Sequence, residues 1–245
     1  MRSSGHGAII LLSGLGLASA AVLAAIPPIM QDQSYHAFAD SRTLLGIPNF
    51  WNVVSNLPFA AVGAAGLAFA RRDAAATALF VGILLTSFGS SYYHAAPDDS
   101  TLLWDRLPMT IGFMALLAGA LGERFGEAVG RGALWPLLAL GAASLVWWRW
   151  TGDLRPYIWV QFYPFLVLPI LYWWFPAMTG RAILITAAAL YGVSKALEYF
   201  DHAIYAASGE IVSGHTLKHL AAAAACYALL RYIQQRRPLP LPILR

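Results

Sequence analysis

The sequence predicts an all-α integral membrane protein of about eight helices. Of its 245 residues, 59% are hydrophobic and 11% are charged, whereas soluble domains carry about 25% charged residues. The mean hydropathy is +0.60. Too few polar side chains remain to cover a surface in water, so this composition fits lipid as the solvent. The single cysteine, Cys226, excludes an internal disulfide and a cysteine-rich metal site, and we expect it to be a packing residue.

Apolar runs of about 20 residues, separated by charged or turn residues, are the predicted membrane-spanning helices. They cover residues 8–27, 49–70, 75–94, 102–121, 132–150, 157–176, 182–201 and 214–233. The first run contains the small residues Ala18–Ala21, so a cleaved signal peptide is an alternative to an uncleaved helix. We favour the uncleaved helix because the run is longer than an ordinary signal-peptide core.

The arginines predict which end of each helix faces the cytoplasm. With the N-terminus inside, the inner segments hold most of them and the outer loops hold few, which is the bias expected of cytoplasmic loops. The inner arginines are Arg2, Arg71, Arg72, Arg124, Arg131, Arg181, Arg231, Arg236, Arg237 and Arg245, and the outer ones are Arg42, Arg149 and Arg155. Both termini are then cytoplasmic. The dominance of arginine over lysine, with much alanine and glycine, favours a bacterial inner membrane.

The net charge of +4 does not indicate nucleic-acid binding, because the basic residues are spread along the chain without a basic-aromatic stripe. Ionisable residues at membrane depth are costly and usually have a partner, a metal or a function. By the orientation above, several lie at the outer ends of the helices. His94 ends the third run, Asp105 begins the fourth, and His215 and His219 begin the eighth.

Spacing suggests what these residues do. Ser90 and His94 are four residues apart, as are His215 and His219, so each pair shares a helix face. Three neutral imidazoles and a water form an open zinc shell. We therefore predict His94, His215 and His219 as zinc ligands. Asp105 can orient a ligand or take a proton from the metal-bound water, and Ser90 can hydrogen-bond that water or a developing oxyanion.

The same residues have simpler interpretations. Histidines at helix ends can face the lipid head groups, and small residues such as Ser90 also favour close helix packing. Asn49, Asn52 and Asn56 form a polar stripe on the second predicted helix. For this stripe we favour interhelical hydrogen bonding over a catalytic role.

The remaining charged residues near this face are expected to be structural. Lys195 and Glu198 are three residues apart and can pair on one helix. Asp201 and Lys218 can pair between helices. Arg106 is expected to extend its side chain to the membrane interface.

Four segments, in matching order, resemble the alkaline ceramidases, whose superfamily of seven-helix membrane hydrolases includes adiponectin-type receptors and GPI-remodelling lipid hydrolases. The segments are NFWNVVSN (residues 49–56), GSSYYH (89–94), WDRLP (104–108) and GHTLKH (214–219). The resemblance covers roughly residues 49–232. Its combination of Ser-x-x-x-His, a following Asp and His-x-x-x-His is specific when the parts occur together.

The resemblance implies a seven-helix core over residues 49–234. Residues 1–48 would then hold one additional N-terminal helix and an outer loop, and residues 235–245 would be a short basic cytoplasmic tail. It also implies that His94, His215 and His219 bind zinc, with Ser90 and Asp105 completing the site. The implied reaction is amide hydrolysis of a membrane lipid such as ceramide, at the outer (periplasmic) face.

Other functions remain open. The family's acidic calcium-binding segment ends in a glutamate where this chain has Asn49, so we do not expect calcium regulation. A receptor or sensor of the same superfamily, with little turnover, is one alternative. A lipid-ester hydrolase is a second alternative, and a structural or transport role with interfacial histidines is a third. Nothing in the sequence indicates a protein partner.

Overall fold

A computed structural model describes residues 2–70 and 73–239, and within these ranges the chain is helical and forms no β-sheet. The helices are α1 (Arg2–Ala25), α2 (Phe50–Val54), α3 (Leu57–Phe69), α4 (Ala74–Ala95), α5 (Asp99–Phe125), α6 (Glu127–Thr151), α7 (Arg155–Trp174), α8 (Arg181–Tyr199), α9 (Asp201–Ala207) and α10 (Gly214–Gln235). All the predicted apolar runs are helical, which confirms the all-α fold. Three arginines of the charge count, Arg71, Arg72 and Arg245, lie outside the described residues, as does the tail beyond residue 239.

Five of the helical spans are long and apolar enough to cross a membrane. They are Phe50–Phe69, which joins α2 and α3, and the helices α4, α5, α6 and α8. In α1 the apolar part is Ile10–Ala25. α7 and α10 are of similar length, 20 and 22 residues, but they fall outside this group of five. The fold is that of an all-α membrane protein.

The second predicted span is interrupted where α2 gives way to α3. Pro58 has no N–H to donate to the carbonyl of Val54, so the helix stops and restarts at Leu57. Side chains use the carbonyls near this break. Ser91 Oγ donates to Val53 O at 3.1 Å, and Ser87 Oγ donates to Asn56 O at 2.9 Å. These two hydrogen bonds connect α2 and α3 to α4 at the break.

The long helices pack in an open ring. α3, α4, α5 and α6 are successive neighbours, α7 packs against α5 and α6, and α10 packs against α8 and α3. α1 lies against α7 on the outside of this group. The backbones of α7 and α8 stay apart, and the two helices meet through long side chains such as Phe165, stacked on Tyr191 with ring centroids 4.5 Å apart. A space therefore remains inside the ring beside α7 and α8.

The turn between α4 and α5 is capped by Asp98. Its carboxylate accepts from the backbone N–H groups of Ser100 and Thr101, each at 2.7 Å, and Thr101 Oγ1 accepts from the N–H of Asp98. Hydrogen bonds from Ser100 and Thr101 lower the pKa of Asp98 to about 2. The cap therefore stays ionised at neutral pH, where it complements the positive end of the α5 dipole.

Candidate metal centre

Three histidines from two helices converge at one end of the bundle. His94 lies in the last turn of α4, and His215 and His219 lie in the first two turns of α10. His94 Nε2 is 3.1 Å from His219 Nε2 and 3.3 Å from His215 Nε2. All three side chains are buried. The predicted pairing of an i,i+4 histidine pair with a third histidine from another helix is therefore present in the structure.

The donor set fits a tetrahedral metal ion. Zinc–nitrogen bonds of about 2.0–2.1 Å separate two ligand nitrogens of a tetrahedron by about 3.3–3.4 Å. The two Nε2···Nε2 distances, 3.1 and 3.3 Å, are close to that separation. Each histidine offers one nitrogen, and the three nitrogens lie within 4.8 Å of one another. The cluster could therefore hold a metal ion and leave a coordination position free.

A serine on the α2–α3 connection fixes the tautomer of one histidine. Ser55 Oγ lies 2.7 Å from His219 Nδ1 and also donates to the carbonyl of Asn52 at 3.3 Å. Since the hydroxyl hydrogen is used on Asn52, Ser55 accepts from Nδ1–H of His219. That leaves His219 Nε2 with its lone pair directed at the cluster, as a metal ligand requires.

Backbone contacts hold the other two histidines. The N–H of His215 donates to Asp201 Oδ1 at 2.7 Å, while Asp201 Oδ2 accepts from Ala39 N–H at 3.0 Å. Asn49 Nδ2 donates to the carbonyl of His94 at 2.8 Å. The N-terminus of α10 is thereby tied to α9 and to the segment before α2.

The asparagine stripe is structural, as predicted. Besides the bond from Asn49, Asn52 Nδ2 donates to Asp40 O at 3.1 Å and Asn52 Oδ1 accepts from Thr216 Oγ1 at 3.1 Å. Asn56 Nδ2 donates to Asn52 O at 2.8 Å. These bonds join α2 to α10 and to the preceding segment.

The segment between α1 and α2 covers the histidines. The ring of Phe38 packs 4.7 Å from that of His94 and 4.5 Å from that of His215, centroid to centroid. His36 lies between Tyr93 Oη at 2.9 Å and Asp99 Oδ1 at 3.0 Å. Its side chain is only 12% exposed. The cover is thus anchored to α4 and α5.

Ser90 and Asp105 come together because α4 and α5 approach closely. A Cβ at Gly89 would lie 2.0 Å from the carbonyl oxygen of Trp104, so only glycine fits there. Pro108 has no N–H to donate to that carbonyl. Ser90 then lies beside Asp105, and both are buried.

Ser90, Asp105 and His219 all line one end of a cavity of about 840 Å³. At the other end it is lined by Trp173 and Arg181. Glu198 and Arg181 lie near opposite ends of α8, and both line the cavity. The cavity therefore follows α8 for about 25 Å. Its walls are mainly apolar side chains of α5, α7, α8 and α10. Both the volume and the lining are typical of a small-molecule site.

Two expectations for the charged residues need correction. Lys195 pairs with Glu198 at 2.7 Å as predicted, but Lys218 also pairs with Glu198 rather than with Asp201. Asp201 is used instead to hold His215 and Ala39. Arg106 turns inward and is 7% exposed, because three aromatic rings surround its guanidinium (Tyr35, Trp148 and Tyr157).

Cys226 is free, half-buried and packed against the core cluster of α3, α4 and α10, as expected of a packing residue.

A comparison of the sequence with models of known protein families found no match, and a comparison with curated proteins found none either.

Proposed function

We propose that this chain is a zinc-dependent membrane hydrolase that cleaves the amide bond of a lipid such as ceramide. The observation that carries the proposal is the meeting of the histidine cluster, through His219, with Ser90 and Asp105 at one end of a long apolar cavity. The four sequence segments that resemble the alkaline ceramidases contain these same residues.

His94, His215 and His219 would hold the metal through Nε2. A zinc ion there would supply Lewis acidity and lower the pKa of a bound water to about 7. The Asp105 carboxylate takes the proton that the attacking water loses, and passes it to the amine nitrogen as the C–N bond breaks. Ser90 Oγ–H donates to the carbonyl oxygen, which gains negative charge during the attack. The products are a fatty acid and an amine.

The rest of the chain binds the lipid and limits water. The apolar cavity accommodates an acyl chain, with the amide at the end lined by Ser90 and Asp105. Phe38 covers His94 and His215, so the cluster is shielded on that side. Between α7 and α8 the cavity is closed by side chains such as Phe165 and Tyr191 rather than by packed backbones, which favours entry of the lipid from the bilayer rather than from water. We place the site at the periplasmic face of a bacterial inner membrane, because of the arginine distribution.

Zinc content and lipid hydrolysis, measured on the same purified preparations, test this proposal. Wild type is expected to hold about one zinc ion per chain, as a site with three protein ligands does. His215→Ala is expected to lose or weaken zinc binding. Asp105→Asn is expected to keep its zinc while N-acyl lipid hydrolysis falls by about 10²-fold or more, the usual effect of removing a general base.

His202→Ala is the matched control for the histidine change. His202 lies on α9 near the same end of the bundle, but it is exposed and contacts the carbonyl of Ala37 rather than the cluster. This variant is expected to keep both zinc and activity. Metal-free wild type from zinc-replete cells would overturn the site. A protein that binds zinc but hydrolyses no amide lipid would overturn the amidase proposal. Hydrolysis of a matched ester would then indicate an ester hydrolase. No hydrolysis of either lipid would indicate a receptor or sensor.

A further inference from the structure

Arg106 is a buried cation at the same end of the cavity as the histidine cluster. It follows Asp105 directly on α5, lines the cavity and is 7% exposed. Its Nη2 donates to Gln31 Oε1 at 2.7 Å. Its Nη1 is buried and has no hydrogen-bond partner within residues 2–70 and 73–239. One edge of the guanidinium therefore has an unused donor.

The surroundings of Arg106 hold the guanidinium in place without satisfying that donor. Its Cζ lies 4.6 Å from the ring centroid of Trp148, 4.7 Å from that of Tyr157 and 5.8 Å from that of Tyr35. Aromatic faces attract the cation but accept no strong hydrogen bond from its N–H groups. Packing on aromatic faces also keeps the planar group rigid, which is what recognition of a planar anion needs.

The charges at this end of the cavity do not balance. Lys195 and Lys218 both line it and share a single carboxylate, that of Glu198, which also accepts from Tyr35 Oη at 3.1 Å. Together with Arg106 they make three cations. The carboxylates that line the cavity within the described residues are Asp105 and Glu198. A bound metal ion would add to the positive excess, so a ligand with a negative charge is favoured here.

We propose that Arg106 binds an anionic group, a carboxylate or a phosphate, on the head of the amphiphile that occupies the cavity. Guanidinium groups bind both anions through paired N–H donors. With the acyl chain in the apolar part and the amide beside Asp105, the anion lies within reach of the next residue on the helix. The substrate class is then narrower than the lipid amides of the proposed function: it is a lipid amide with an acidic head, for example an N-acyl amino acid or an N-acyl phosphoethanolamine, rather than ceramide, whose head is neutral. Only the bond that is cleaved depends on the proposed function; the binding preference does not.

Ligands that contain neither an amide nor a carboxylic ester bond separate binding from the proposed hydrolysis. Three hexadecyl ethers share one chain and differ at the head: hexadecyloxyacetic acid, 2-(hexadecyloxy)ethyl phosphate and neutral 2-(hexadecyloxy)ethanol. Titration calorimetry on the full-length, metal-loaded protein in detergent gives their dissociation constants. Wild type is expected to bind at least one anionic ether about tenfold or more tightly than the neutral one. Comparing the carboxylate with the phosphate shows which anion the site takes.

Variants of Arg106 test whether this residue causes the preference for an anionic head group. Arg106→Gln is expected to reduce it to less than about threefold, because the charge and the paired donors are lost. Arg181→Gln is the matched control, since Arg181 lines the opposite end of the same cavity and should leave the preference unchanged. If Arg106→Gln fails to fold, Arg106→Lys, which keeps the charge but not the planar fork, is expected to lower the preference severalfold. If wild type binds the anionic and neutral ethers equally, the inference is overturned. It is also overturned if the folded variant keeps the wild-type preference for the anionic ether, because the metal would then be the group that binds the anion.

Hydrolysis of N-palmitoylglycine and N-palmitoylethanolamine then separates the two proposals. An anionic binding preference without hydrolysis of either amide supports the role of Arg106 and counts against the amidase proposal. Equal kcat/KM for both amides, with no binding preference, supports the amidase and overturns the role of Arg106. If both proposals hold, Arg106→Gln raises KM for N-palmitoylglycine more than it lowers kcat, because the residue binds the head group rather than the reacting atoms.

Discussion

The Ser55 hydroxyl determines which nitrogen of His219 is available to a metal ion. It lies 2.7 Å from Nδ1, and its own hydrogen is directed at the carbonyl of Asn52. Without it, the His219 ring could rotate or place its proton on Nε2, which would remove a ligand from the cluster. In metal sites, such supporting hydrogen bonds affect affinity almost as much as some ligands do.

Ser55→Ala is therefore expected to weaken zinc binding by about 10–100-fold, the usual effect of losing a supporting partner. Competition with a chelator of known zinc affinity measures the change. Ser91→Ala is the control, because Ser91 also donates to the α2 backbone, at Val53 O, but contacts none of the histidines. Equal zinc affinity in wild type and Ser55→Ala would show that the Ser55 contact does not orient the ligand.

For single residues, the sequence could predict the candidate metal ligands but not the hydrogen-bond partners that orient them. Histidines and aspartates at membrane depth are rare enough for their positions to indicate a site, and the i,i+4 spacings added the geometry. Ser55 carries no such signal, since serine is common in membrane helices and its contact with His219 joins residues 164 positions apart. The burial of Arg106 could not be predicted either, because its long side chain can reach the interface or turn inward. Which of the two directions it takes depends on where the fold places Trp148 and Tyr157.

Among the elements, the contact of α4 with α5 has the most direct effect on the site. Gly89 faces the carbonyl of Trp104, whose usual helical donor is replaced by Pro108. Because the next residue is Ser90 and the residue after Trp104 is Asp105, this contact sets the distance between the two predicted catalytic groups. The contact is with backbone, which cannot rotate away as a side chain can.

Gly89→Ala is expected to push α4 and α5 apart, because its Cβ would lie 2.0 Å from the Trp104 oxygen. Overpacking of this kind costs about 1–3 kcal/mol, so a lower thermal unfolding midpoint in detergent is expected. Lipid hydrolysis should fall, because Ser90 and Asp105 would be moved apart. Gly192→Ala, on α8 with nothing within 4 Å of the new Cβ, is the control and should unfold at the wild-type temperature or slightly above it. A Gly89→Ala variant with the stability and activity of wild type would contradict this account of the contact.

The long helices were predictable because each is an apolar run with clear ends, whereas the short α9 (Asp201–Ala207) was not predicted. The largest differences are at the start of α1, which begins at Arg2 rather than residue 8, and of α6, which begins at Glu127 rather than residue 132. The break between α2 and α3 was missed although Pro58 is visible in the sequence, since prolines also occur within continuous helices here, such as Pro108 in α5. At this break neighbouring side chains take up nearby carbonyls, as Ser91 does with that of Val53.

At the scale of the whole molecule, the two ends of the bundle carry different chemistry. The histidine cluster and its covering segment lie at one end. The opposite end holds an ion-pair network in which Arg236 bridges Glu123 and Asp73, and Glu123 also pairs with Arg124 at 2.8 Å. Most of the arginines of the charge count that the structure describes belong to this second end. If it is cytoplasmic, as positive residues in short loops indicate, the histidine cluster faces the opposite side of the membrane.

Labelling of single cysteines tests this orientation, and the chain is well suited to it because Cys226 is its only cysteine. In a Cys226→Ala background, Ala207→Cys places a thiol at the exposed end of α9, near the cluster, and Ala128→Cys places one at the exposed start of α6, at the opposite end. A membrane-impermeant maleimide added to intact spheroplasts is expected to label Ala207→Cys, and to label Ala128→Cys only after lysis. The reverse pattern would place the cluster at the cytoplasmic face, and the proposed lipid substrates would then have to be those of the inner leaflet.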